Sequence, residues 1–139
     1  MKVVLDTNVL IAFFRDPRQR AQFESRYHRP LLFMSSVVAP ELFVGCRTQQ
    51  QEKALTAFLK PFEKAARIVT PDHACFREAG RVLAGLGRAG IGTAHRHKIL
   101  NDVLIAVTAA RSGLMVVTSN AGDFSLIEKY TPVRWMRPD

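Results

Sequence analysis

The sequence predicts an α/β sandwich with a mainly parallel sheet. Short β-branched runs alternate with segments of helical length along the whole chain, the pattern of strand–helix–strand units. The 139 residues suit one domain with a single substantial core. No repeat, low-complexity tract or linker interrupts them, so one domain over residues 1–139 is expected.

Val3-Val4-Leu5 is a short strand ending at Asp6. Thr7 or Asn8 can cap a helix over residues 9–14, and Asp16-Pro17 punctuates it. Residues 18–27 read as a polar helix that offers Ala21, Phe23 and Tyr27 to the core, ended by Pro30. A second strand is expected over 31–34. Ser35 or Ser36 then starts a helix to about Arg47, in which Pro40 is tolerable only in the first turn. Residues 49–59 are helical, with Leu55, Phe58 and Leu59 on one side. A third strand covers 67–70, and Pro71-Asp72 opens a helix through Leu86. Gly85, Gly87, Gly90 and Gly92 suggest a flexible stretch before the basic run His95-Arg96-His97-Lys98. Leu100 or Asn101 begins a helix to Ser112, closed by Gly113. A fourth strand follows over 114–118, a loop or short turn over 119–124, and a last strand over 131–135.

Composition narrows the function. Twenty Lys and Arg against twelve Asp and Glu give a net charge of +8, which suits a polyanionic partner. No run of about 18 apolar residues is present, so no membrane span is expected. The charge at Asp6 interrupts the opening run, which argues against a signal peptide. Cys46 and Cys75 lack CxxC spacing, against a zinc ribbon or a disulfide scaffold and in keeping with a reducing cytoplasm. The histidines have no zinc-site spacing.

Four of the twelve acids lie among apolar or small residues: Asp6 in VVLDTNVLI, Glu41 in VVAPELFVG, Asp102 in ILNDVLIAVTAA and Asp123 in VVTSNAGDF. A buried carboxylate needs a compensating partner. Asp6 follows the first strand and Asp123 the fourth, placing both at the carboxyl edge of a parallel sheet, where such folds bind ligands. Ala106 and Ala109 let the helix of Asp102 approach the sheet closely. Four gathered carboxylates repel one another and call for raised pKa values or a cation. An oxygen-only donor set favours Mg²⁺ or Mn²⁺, one or two ions, which can activate water against a phosphodiester. Each acid also has a structural reading: helix cap for Asp6, pairing with Arg47 or another base for Glu41, helix-dipole partner for Asp102, turn residue for Asp123.

These segments resemble, in order and over essentially the whole chain, the four motifs of the PIN-domain nucleases, and within them the VapC-type toxins of toxin–antitoxin pairs. Pro40 before Glu41, and Val38 where many relatives have Thr or Ser, depart from the pattern. The resemblance implies a PIN-like three-layer α/β/α sandwich with a roughly five-stranded sheet. It implies that Asp6, Glu41, Asp102 and Asp123 bind the metal, Asp6 and Asp102 most directly and the other two partly through water. Asn8 and Thr118 match positions that orient the first acid or the site water, and Asn120 stands where relatives carry Asn or Asp. It further implies an endoribonuclease, an RNA substrate, a homodimer, a small VapB-type antitoxin, and operator DNA bound only through the antitoxin complex.

Phe13, Phe14, Phe43 and Val44 are candidates for the dimer face or for ordinary core. Arg15, Arg18, Arg20, Arg26, His28 and Arg29 form one basic segment, and Arg88, Arg96, His97 and Lys98 another. Of these, Arg15, Arg18, Arg96 and Lys98 are the candidates for an RNA-backbone rim; a solvated helix face is the alternative. Two rival functions stand beside the nuclease: a catalytically weak binding module acting with its antitoxin on operator DNA, and a divalent-metal hydrolase of DNA flaps or small phosphoesters.

Overall fold

The computed structural model describes residues 1–27 and 31–139; His28, Arg29 and Pro30, which the sequence reading places in the basic segment and at a helix end, lie outside the described residues. Strands β1 (Val3–Leu5), β2 (Leu32–Ser35), β3 (Ile68–Val69), β4 (Met115–Val117) and β5 (Arg134–Met136) form one sheet in the order β3-β2-β1-β4-β5. Every neighbouring pair is parallel. β1 lies at the centre, pairing Val3 with Leu32 on one side and with Met115 on the other. All three of its residues are buried, as a strand covered on both faces requires.

Helices α1 (Thr7–Arg15), α2 (Pro17–Tyr27), α3 (Ala39–Val44) and α4 (Gln49–Lys64) carry the chain from β1 outward to β3. Helices α5 (His73–Arg88), α6 (Thr93–Lys98), α7 (Leu100–Ser112) and α8 (Ala121–Ile127) carry it back through β4 to β5. Right-handed crossovers running in opposite directions put these two groups on opposite faces. The packing agrees: α1 meets α2 and α3, while α5 meets α6, α7 and α8. The result is a three-layer α/β/α sandwich. The chain reverses its direction across the sheet between β1 and β4, opening a crevice at their carboxyl ends.

Several local expectations are corrected. Of the caps the sequence allows for α1, Asp6 is the one used, and Thr7 and Asn8 lie inside the helix. Ala21 is exposed, whereas Phe23 and Tyr27 are buried. The helix expected to run to Arg47 is a 3₁₀ turn over Ser36–Val38 followed by α3, which stops at Gly45; Pro40 does sit in its first turn. α4 continues past 59 and through Pro61, because the face formed by Leu55, Leu59 and Phe62 remains buried for another turn. Tertiary burial outweighs the local penalty of proline here. Residues 121–127 form α8 where a loop or short turn is expected, burying Phe124 and Ile127. β5 begins at Arg134, later than expected.

The glycine-rich stretch is the largest correction. Gly85 and Gly87 lie inside α5 rather than in a flexible stretch, and the basic run forms helix α6. These two glycines make room for neighbours. A Cβ on Gly85 would stand 2.6 Å from ring carbons of Tyr130, and one on Gly87 would stand 2.7 Å from a guanidinium nitrogen of Arg96. Only Gly90, with φ at +96°, turns the chain, as Gly113 does at the end of α7 with φ at +70°.

Phe13 is fully buried and packs its ring against Phe23 and Phe58, and Phe14 packs against Phe58 at 4.9 Å between centroids. Phe13 belongs to the core, and half-buried Phe14 packs against its edge. Phe43 and Val44 are exposed, at 38% and 84%. Arg20 donates to the carbonyls of Phe13 and Phe14, satisfying the carboxyl end of α1, so it is a structural cap. Among the described residues, no helix is long and apolar enough to cross a membrane.

If Gly85 is a contact residue, Gly85→Ala should lower stability by about 1–3 kcal/mol in urea unfolding, the cost of overpacking. A flexible-loop glycine would instead tolerate or gain from the change.

Candidate metal centre at the sheet switch point

The site starts with β1. Asp6 continues the strand by donating its backbone N–H to the carbonyl of Val117 at 2.9 Å, then caps α1 by accepting from the Thr7 N–H at 2.7 Å. Its carboxylate is almost wholly buried. The other oxygen accepts from the Thr118 hydroxyl at 2.6 Å. Thr118 follows β4 and is itself held in the sheet by its N–H to the Met136 carbonyl at 3.0 Å. This hydrogen bond spans the reversal point between β1 and β4.

Asn120 links the next two acids. Its backbone N–H donates to the Thr118 hydroxyl oxygen at 2.9 Å. Its side-chain amide donates to Asp102 at 2.9 Å and to Asp123 at 2.8 Å. Asp102 stands in the first turn of α7 and Asp123 in the first turn of α8, where carboxylates are favoured by the helix N-terminus. Glu41, in the first turn of α3, accepts from the Asn101 amide on α7 rather than pairing with Arg47. His95 Nε2 lies 3.0 Å from the remaining oxygen of Asp123. Asn101 and His95 are not singled out by the sequence reading. Asn101 adjoins the Asp102 motif, which is a signal of a kind; His95 shows only once α6 folds back.

The acids share one electrostatic field. Burial lifts the Asp6 carboxyl above its ordinary range, and the charge of Glu41 adds to this; the hydrogen bonds from Thr118 and Thr7 oppose it. Asp102 is pushed up to about 7, first by burial and then by the charge of Asp6, with Asp123 and Glu41 adding; the bond from Asn120 pulls the other way. Three other carboxylates therefore act on one. Asn8 does not join them: it is exposed, and its side chain has no hydrogen bond among the described residues.

The donor set suits a hydrated hard cation. Among the described residues, no group of three or more His, Cys, Asp or Glu side chains is drawn together tightly enough to hold an ion by direct ligation. Magnesium commonly keeps several waters and takes only one or two carboxylates, and Asp6, Glu41, Asp102 and Asp123 are the residues that could hold such a hydrated cation.

The basic candidates separate. Arg15, Arg18 and Lys98 are exposed, Lys98 in an open cleft with His95 and Asp123. Arg96 is turned inward against α5, donating to the Leu83 carbonyl and the Thr93 hydroxyl. Arg26 donates to the carbonyl of Pro138 at 3.0 Å.

The model of the PIN domain matches residues 3–130. The chain belongs to the PIN-domain family. Among PIN-domain relatives it is 26% identical over 127 residues to the tRNA(fMet)-specific endonuclease VapC of Shigella flexneri, covering 91% of this chain and 92% of that protein. It is 26% identical over 142 residues to ribonuclease VapC2 of Haemophilus influenzae, covering 98% and 99%. Among solved structures, DNA-bound VapBC from Salmonella typhimurium aligns with a TM-score of 0.68 at 26% identity, covering 100% of this chain and 99% of that one. FitAcB from Neisseria gonorrhoeae aligns at 0.74 and 20% identity, covering 98% and 97%, a likeness of fold. The PIN fold thus agrees with the architecture described above.

The raised carboxyl of Asp102 gives a pH dependence with a definite sign. Between its ordinary value of 3.8 and about 7, the folded protein keeps a proton that the unfolded chain has lost. Stability of the metal-free protein therefore falls as pH rises through that window, and is lowest above it. Asp102→Asn should stabilise the protein in EDTA at pH 8 by about 1–2 kcal/mol, after discounting for partial solvent screening. That gain should shrink steadily from pH 8 to pH 5 in urea melts; a pH-independent gain would contradict the electrostatic account.

Proposed function

We propose that the chain is a Mg²⁺- or Mn²⁺-dependent endoribonuclease, the toxin of a VapBC-type pair. The observation that carries this reading is the convergence of Asp6, Glu41 and Asp123 on Asp102, in a crevice made by a PIN fold. Relatives named as ribonucleases or endonucleases support the reaction class. A divalent cation held by these acids would polarise a phosphodiester and lower the pKa of an attacking water.

The chain's own residues do the positioning. Thr118 and the Thr7 N–H hold both oxygens of Asp6, and Asn120 holds Asp102 and Asp123 in one register. With water as the attacking group, no protein nucleophile and no RNA 2′-hydroxyl is required, and the products carry a 5′-phosphate and a 3′-hydroxyl. Arg15, Arg18 and Lys98 supply exposed positive charge for the RNA backbone. The DNA-bound VapBC of Salmonella typhimurium supports a small VapB-type antitoxin as partner, with operator DNA reached through that complex. Exposed Phe43 and Val44 on α3 offer a surface for a second copy.

The test is cleavage of RNA by purified protein, with end sequencing. Asp6→Asn and Asp102→Asn should each reduce Mn²⁺-dependent cleavage by at least about 100-fold, beyond the usual effect of groups that only orient a ligand. Cleavage by the double variant in EDTA would overturn the reading, and tight partner binding without any RNA turnover would favour the binding module. In a salt titration of RNA binding, Arg18→Ala should reduce the log–log slope by about 0.7, the share of one phosphate contact on a single strand.

A further inference from the structure

Helix α6 has little reason to fold alone. It is six residues long, none of them buried, and its cap Gly92 supplies no side-chain hydrogen bond. What anchors it is Arg96. The guanidinium lies over Gly87 of α5, where a Cβ would collide with it at 2.7 Å. From there NH1 donates to the Leu83 carbonyl at 3.5 Å and NH2 to the Thr93 hydroxyl at 3.2 Å. Its Nε is buried with no hydrogen-bond partner among the described residues. A buried donor left unpaired is costly, so hydrogen bonding alone does not account for an arginine at this seat.

Seating Arg96 places its neighbour. His95 points to the acidic site, with Nε2 3.0 Å from Asp123 Oδ1. The same carboxylate is held on Oδ2 by Asn120. Ala94, His95, Lys98 and Asp123 line an open cleft of about 470 Å³ beside the acids.

We propose that α6 is a positioning element of the metal site: His95 fixes the Asp123 carboxylate, and the seat of Arg96 on Gly87 fixes where His95 stands. The inference rests on reading Asp123 as a carboxylate of that site. His95 acts through Asp123 and is a positioning residue, holding Oδ1 while Asn120 holds Oδ2. Partners of this kind typically set metal affinity or activity by 10–100-fold. Gly87 has the same consequence at one remove, since any side chain there displaces the guanidinium.

The test uses the full chain, with three readouts: Mn²⁺ affinity by calorimetry, kcat and KM on RNA, and thermal unfolding. His95→Ala should weaken Mn²⁺ binding by about 10-fold and lower kcat by about 10–100-fold, with KM for RNA within about 3-fold. His95→Gln, which keeps a donor near the Nε2 position, should restore Mn²⁺ affinity to within about 3-fold of wild type, the residual expected when the orienting bond is kept. Gly87→Ala should lower kcat and Mn²⁺ affinity in the same direction, measured at a temperature where both proteins are fully folded, because displacing the guanidinium that anchors α6 costs some thermal stability as well. Gly80→Ala is the control: it lies on the same helix with nothing within 4 Å of its Cβ and should leave all catalytic readouts unchanged. Unchanged Mn²⁺ affinity in His95→Ala, or Gly87→Ala behaving as Gly80→Ala does, would overturn the proposal. A wild-type protein that neither binds Mn²⁺ nor cleaves RNA would instead overturn the nuclease reading.

Discussion

The hydrogen bond from Thr118 to Asp6 is the contact on which the rest of the site depends. It joins the carboxyl ends of two central strands at the place where the chain reverses across the sheet. Asp6 is nearly buried, and a carboxylate in that position is tolerable only with donors on its oxygens. Thr7 and Thr118 supply them, one from the helix that Asp6 caps and one from the neighbouring strand's end. Helix cap and site acid are therefore the same residue in two roles. Thr118 then passes the register to Asn120, and Asn120 to Asp102 and Asp123.

That arrangement is electrostatically expensive without a cation. The sheet supplies rigidity and the amides supply alignment, but neither removes like charge from like. Asp102 responds by keeping a proton up to about neutrality. Protein stability and the gathering of like charge are set against each other at one carboxyl group. The basic excess of the chain is also larger outside the crevice than its net charge suggests, since four acids are withdrawn into it. Negative site and positive surroundings are two parts of one charge distribution.

The strands and the acids were legible because each carries a local signal. Val3-Val4-Leu5 is β-branched or apolar throughout, and an acid among apolar residues, such as Asp6 or Asp102, stands out against its neighbours. Topology could place Asp6 and Asp123 at one edge, and Ala106 and Ala109 could bring the helix of Asp102 towards them. What stayed hidden depends on contacts between segments far apart in sequence. Gly85 and Gly87 look like breakers until Tyr130 and Arg96 are seen to occupy the space a side chain would take. α8 looks like a turn because its burial of Phe124 and Ile127 comes from tertiary packing, not from propensity. Arg20 and Arg96 look like surface charge, yet one caps a helix and the other wedges between two. Composition cannot tell a guanidinium that faces solvent from one that faces a carbonyl.

The central position of β1 has a consequence for biosynthesis. Asp6 is made 112 residues before the strand end and hydroxyl that hold it. Until Thr118 has cleared the ribosome, the first strand lacks one of its two neighbours and its acid lacks a donor. Long-range parallel pairing of this kind forms late and slowly. A nascent chain therefore carries its acids without a crevice to gather them.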